Sequence, residues 1–181
     1  GEYWRLRADS SWLRGELRYR DAGRSLLDIE YIDVAGLPDV SPADREAVDE
    51  PVMEIPEMDV TIGEMRSGDM LLGNLAFPPP SEDDNILAQN ISGQIAAMQI
   101  RSSEPASLIW RQGPDGHTAI EARLLFGDFG DTLERLGYER MIVTEGGSFA
   151  LTLEWPGGPQ DFSLEQGAGT LLVDIGAGTF P

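Results

Sequence analysis

His117 is the single histidine of this 181-residue chain, cysteine is absent, and lysine does not occur, so that all 13 basic residues are arginine. Those counts remove most of the chemistry a protein can do. A histidine acting as general base needs a nucleophile and an orienting partner within hydrogen-bond reach. His117 instead follows Gly113-Pro114-Asp115-Gly116 and reads as an exposed turn residue. Imidazole and thiolate ligands for zinc cannot be assembled from one histidine and no cysteine. Disulfides and thiol catalysis are excluded. Without lysine there is neither a Walker-type phosphate lysine nor a Schiff base.

Carboxylates are abundant, with 32 Asp and Glu residues. Glu82-Asp83-Asp84 could offer oxygens to calcium, but the spacing matches no EF-hand loop and no glycine is placed for its tight turn. A solvated polar loop is the simpler reading. Paired carboxylates for glycoside hydrolysis could be drawn from so many acids that no pair is singled out. Gly127-Asp128-Phe129-Gly130 spells part of a kinase motif, yet no glycine-rich or catalytic loop accompanies it. Asp128 is better read as a helix cap. No catalytic residue, metal or cofactor is expected, and the chain is not read as an enzyme. The net charge of -19 would repel a phosphate backbone, so nucleic acid is excluded as a partner.

What remains is apolar strand surface. Period-two alternation dominates, as in Trp4, Leu6 and Ala8, in Leu27, Ile29 and Tyr31, and in Met58, Val60 and Ile62. Strands are expected around Trp12–Tyr19, Met70–Phe77, Ile86–Ile91, Gly93–Arg101, Ala106–Gln112, Thr118–Phe126, Arg140–Thr144, Phe149–Trp155, Asp161–Glu165 and Thr170–Ile175. The 21 glycines and 12 prolines supply the turns between them. Pro78-Pro79-Pro80 stops one strand, and Ser81 to Asn85 continues as a polar loop. One helix is expected near 128–137, with Asp128 as its cap and Gly137 as its end. Phe129, Leu133 and Leu136 fall on one side of it and should pack on the sheet, because so short a helix is marginal alone.

The expected organisation has three parts. Residues 1–36 and 58–181 form the sheet. Residues 37–57, rich in Asp, Glu and Pro, form a connector with at most a turn of helix over Ser41–Val48. A loose recurrence of strand, loop, strand and glycine at Gly15–Gly36, Gly73–Gly93 and Leu151–Gly178 suits stacked β-meanders. No run of apolar residues is long enough to span a bilayer. The abrupt start at Gly1 reads as a piece of something longer.

The second half carries a resemblance. Trp110, the hairpin to Thr118–Phe126, and the run from Gly127 through Leu136-Gly137-Tyr138 resemble the helix segment of the YhdP branch of AsmA-like proteins. Phe149 to Trp155-Pro156-Gly157-Gly158-Pro159, Phe162-Ser163-Leu164, and the close from Gly169 to Phe180 are similar to it as well. The resemblance covers residues 56–181 well and 1–55 loosely, and the acidic connector departs from it. It implies a segment of a long periplasmic β-groove, reaching the bacterial inner membrane through an N-terminal anchor that this chain lacks. It also implies movement of phospholipids toward the outer membrane, with a possible contact there. The implied fold is mainly β, a curved antiparallel taco-like groove with one short packed helix. The implied partners are phospholipid acyl chains, and no catalytic residue carries over.

On that reading Leu108, Trp110, Ile120, Leu124, Phe126, Phe149, Leu151, Leu153 and Trp155 line the apolar face. A one-residue slip in register would invert the assignment. Two rivals stand beside it. One is a closed β-sandwich for ligand binding or adhesion, using Trp4, Trp12, Trp110 or Trp155 as platforms, although Trp155 precedes a Pro-Gly turn and is better read as packing. The other is a structural spacer with no lipid path. Alternation alone does not separate an open groove from a closed core.

Overall fold

A computed structural model describes residues 3–20, 23–36, 57–79, 86–111, 115–163 and 165–179. The alternating segments become strands β1 (Tyr3–Asp9), β2 (Leu13–Arg20), β3 (Ser25–Asp33), β4 (Met58–Ser67), β5 (Met70–Phe77), β6 (Ile86–Ile95), β7 (Met98–Ile100), β8 (Ala106–Arg111) and β9 (His117–Phe126). Helix α1 (Phe129–Arg135) follows. After it come β10 (Val143–Thr144), β11 (Gly147–Pro156), β12 (Ala168–Ile175) and β13 (Gly178–Thr179).

Eleven strands form one sheet in the order β1-β2-β3-β4-β5-β6-β7-β9-β11-β12, and β8 pairs with β6 and β9. β7 and β8 thus share one position, interrupted by the turn at Arg101–Pro105. β10 and β13 make a separate two-stranded ribbon. β1 and β12 do not meet, so the sheet is open and no barrel closes. The mainly antiparallel groove-type sheet with one short helix is therefore the fold, and no second large sheet packs on it among the described residues.

β3 and β4 pair in parallel, a departure from the wholly antiparallel expectation. A parallel pair needs a crossover of a dozen or more residues. The stretch between Asp33 and Met58 supplies it. It begins with a 3-10 turn at Val34–Gly36. Most of the acidic connector, including Ser41–Val48, lies outside the described residues, as do Glu82-Asp83-Asp84 and Gly113-Pro114.

Bulges adjust the faces. The β2–β3 register shifts between Arg14 and Gly15, so Gly15 lies opposite Ile29 while Arg14 lies opposite Tyr31. The extra residue turns Tyr31 to the polar face and brings Ile32 into line with Leu13 and Met65. The expected grouping of Leu27, Ile29 and Tyr31 fails at its last member for that reason. A matching shift in β4 places Ile62 opposite Leu75 and Met65 opposite Gly73. Such bulges bend a strand and strengthen its twist.

Three boundaries differ from expectation. β6 runs through Gly93 to Ile95 and turns at Ala96 and Ala97, both at positive φ, 47° and 66°. That conformation is usual for Asn or Gly in a two-residue hairpin. The segment expected as a strand over Asp161–Glu165 instead opens with a 3-10 turn at Pro159–Asp161. Asp161 stabilises the turn by accepting from the Gly158 N–H at 2.7 Å. Of Arg140–Thr144, only Val143 and Thr144 are in a strand, because Arg140 is drawn to the acidic start of α1.

α1 is set by its ends. The Asp128 side chain accepts from the Gly130 N–H at 2.9 Å, as an N-cap should. At the other end the Tyr138 N–H reaches the Leu133 carbonyl and the Gly137 N–H reaches that of Glu134. Gly137 sits at φ 82°, which completes the glycine-terminated cap.

Candidate functional site

Residues directly opposite one another in neighbouring strands share a face. The register therefore lays out the apolar surface in rows. Leu6, Leu17, Leu27, Val60 and Phe77 form one row across β1 to β5. Ala8, Gly15, Ile29, Ile62, Leu75 and Gly93 form the next. A third runs through Leu13, Ile32, Met65, Gly73, Ile95 and Met98. In the second half Ile100, Leu124, Phe149 and Val173 are aligned, and so are Ala122, Leu151 and Leu171. Ala88, Leu108, Ile120, Leu153 and Gly169 complete the set. One apolar face thus spans all ten strand positions.

The opposite face is mainly polar, although Leu125, Ala150 and Leu172 lie on it and Leu172 is 64% exposed. Arg7, Glu16, Asp28, Thr61, Ala76 and Ser92 align across β1 to β6. Gln99, Leu125, Ser148 and Asp174 do the same farther along. Glu16 binds Arg7 at 2.8 Å, Arg18 at 2.5 Å and Arg5 at 3.2 Å. Hydrogen bonds from Arg18 and then Arg7 hold its carboxyl at about 2, against an ordinary 4.5. Glu104 pairs with both Arg101 and Arg123 at 3.0 Å. These pairs lie on the charged side of the sheet, with their arginines partly exposed.

By this register the nine residues expected to line the groove fall on a single side of the sheet. Leu108, Trp110, Ile120, Phe149, Leu151 and Leu153 are half-buried. Leu124, Phe126 and Trp155 are instead buried. Leu124 and Phe126 sit in a cluster with Ala96, Met98, Ile100 and Ala106. Trp155 is enclosed because its chain folds back. Its indole N–H donates to the Gly158 carbonyl at 2.8 Å, and the Phe162 ring stands edge-on to it at 5.2 Å. Trp155 is therefore a packing anchor and offers no platform.

Of the helix residues, Phe129 and Leu136 pack against the same cluster, and Leu133 is half-buried. Phe126, Phe129 and Phe149 form a triangle of rings with centroids 5.3 to 5.4 Å apart. Tilted pairs at this spacing add about 0.5–1.5 kcal/mol each beyond their area.

Sequence reasoning missed the first half of the face. Leu17, Leu27, Ile29, Val60, Ile62 and Met65 are half-buried, Leu75 packs against the buried cluster, and Leu6 and Trp4 are 67% and 73% exposed. Their alternation is the signal that could have found them. At the far edge Leu171, Val173 and Ile175 are also exposed. Among the described residues no cluster of three or more His, Asp or Glu could hold a metal ion. No described helix is long and apolar enough to cross a membrane.

The arrangement presents a broad apolar surface on one side of the sheet. Comparison with curated proteins and with solved structures gives no match. The family model described as "YhdP protein" matches residues 1–181. The chain belongs to the YhdP family, in keeping with a lipid-transport-related protein.

Proposed function

We propose that this chain is a periplasmic, non-catalytic segment that shields phospholipid acyl chains as they pass between the inner and outer membranes. The observation that carries the reading is the uninterrupted apolar face, half-exposed over β1 to β5 and again over β11 and β12. A soluble protein seldom leaves so continuous an apolar surface without a use for it.

The energetics favour lipid as the occupant. Exposing an acyl chain to water costs about 0.8 kcal/mol per methylene, so two long chains face a cost on the order of 20 kcal/mol. Ten strand positions separated by about 4.8 Å extend the apolar face over roughly 43 Å in the hydrogen-bonding direction. Leu, Ile, Val and Met recur across the rows, so no single point offers a deep polar well in which a lipid would stall.

The test is a photocrosslinking residue at Leu151, compared with its neighbour Thr152 on the polar face, in a cell envelope that carries both membranes. Phospholipid adducts at 151 and none at 152 support the proposal. Protein adducts alone at 151 would favour a structural spacer.

A further inference from the structure

We propose that α1 is a displaceable flap over the apolar face, held shut by a charged latch at its N-terminus, and that it controls lipid access to the β7–β9–β11 end of the strands. This rests on the lipid-shielding reading for its purpose, though not for its mechanics.

The apolar face is covered at Trp155 by Phe162 and, more broadly, by α1. Met98, Ile100, Leu124 and Phe126 are buried where most of their row-mates are half-exposed, and α1 lies against them through Phe129 and Leu136. Phe129 is in ring contact with both Phe126 and Phe149, which belong to adjacent strands of that face. A chain lying on the central rows near Leu151 and Leu153 cannot touch Leu124 or Phe126 while the helix is down.

The helix is too short to persist by its own hydrogen bonds. Its position depends on a polar latch. Asp128 accepts from the N–H of Gly130 at 2.9 Å and of Thr144 at 3.0 Å, and the Phe129 N–H donates to the Thr144 hydroxyl at 2.9 Å. Arg140 closes the latch with ion pairs to Asp128 and to Asp131, the latter at 2.7 Å. Asp128 and Thr144 tie the start of the helix to β10, while Tyr138 and Met141, just beyond its end, are exposed.

The docked state also carries a defect. Thr132 is 1% exposed, and its hydroxyl has no hydrogen-bond partner among the described residues. A buried unpaired hydroxyl opposes docking. An element meant to stay down permanently would gain from a valine there, whereas a flap gains from being easily lifted.

The chain has no cysteine, which permits a direct test. Leu124→Cys reports on the covered floor and Leu151→Cys on the open face, each labelled with a fluorogenic maleimide in the absence of lipid. The thiol introduced at position 124 is expected to react about tenfold more slowly than the one at position 151, because it must wait for a local opening. Adding Arg140→Gln should speed labelling at 124 by roughly fivefold, the scale of a lost surface ion-pair network, and leave labelling at 151 unchanged. Adding Thr132→Val should slow labelling at 124. Equal reactivity at the two positions, or a parallel rise at both with Arg140→Gln, overturns the flap.

A second arm uses photocrosslinkers at 124 and 151 with vesicles of phosphatidylethanolamine and phosphatidylglycerol. Lipid adducts at 124 with the latch intact overturn the flap and leave lipid shielding standing. The expected thiol pattern without lipid adducts at 151 supports the flap as a cover and refutes lipid shielding.

Discussion

Placing an arginine on either of two adjacent β11 residues separates the two faces of the sheet cleanly. Leu151 is half-buried on the apolar face, opposite Ala122 and Leu171. Thr152 is exposed on the polar face, opposite Glu121 and Thr170. A guanidinium set against acyl chains costs about 2.5–3.5 kcal/mol by membrane-insertion scales. If Leu151 touches the lipid, Leu151→Arg should weaken binding of a fluorescent phospholipid by roughly 100-fold, since each 1.4 kcal/mol is a factor of ten. Thr152→Arg, beside Glu121, should leave binding within about twofold. Half-exposure of Leu151 limits damage to the fold, and a melting curve on each variant verifies it. The assay is fluorescence titration with a lipid bearing the dye at its acyl end. Unchanged binding in Leu151→Arg, or equal loss in both variants, would refute the assignment of the lipid-bearing face.

Three further outcomes concern stability. Ala97 holds φ 66° in the β6–β7 turn, a conformation that costs an L-residue roughly 1–2 kcal/mol; Ala97→Gly should recover about 1 kcal/mol in urea unfolding. Thr132→Val removes a buried hydroxyl that has no partner among the described residues and should stabilise by roughly 1 kcal/mol, read as a higher urea midpoint at unchanged slope. Glu16 is held at about 2, below its ordinary 4.5, by Arg18 and Arg7. A depressed carboxyl contributes stability that is fully present above about 4.5 and is lost as pH falls toward 2. Glu16→Gln should therefore flatten the decline in melting temperature over that window.

Alternation was legible because it is local. Phe149, Leu151, Leu153 and Trp155 announce a strand with one apolar side, and Asp128 and Gly137 announce the two ends of α1. Register was not legible, because it depends on partners far away in sequence. One extra residue in β3 sent Tyr31 to the polar side and put Ile32 in its place. The Ala96–Ala97 turn gave no signal, since alanine is not a turn residue and only tertiary pairing of β6 with β7 forces it. The turn after Trp155 marked it as a packing residue, but its covering partner could not be read. Pro156-Gly157-Gly158 suggests a turn, but not that Phe162 returns to cover the indole. The resemblance drew the face candidates to the second half alone, although Met58, Val60 and Ile62 display the same pattern.

The central claim is that the apolar face is one continuous path from β1 to β12. It is tested most directly by a lipid-photocrosslinking scan at Leu17, Ile29, Ile62, Leu75, Leu151 and Leu171, each on a different strand, in a living cell envelope. Phospholipid adducts at every position are predicted, each absent at the neighbouring residue on the polar face. Adducts confined to one or two adjacent strands would mean an isolated pocket and would contradict a conduit.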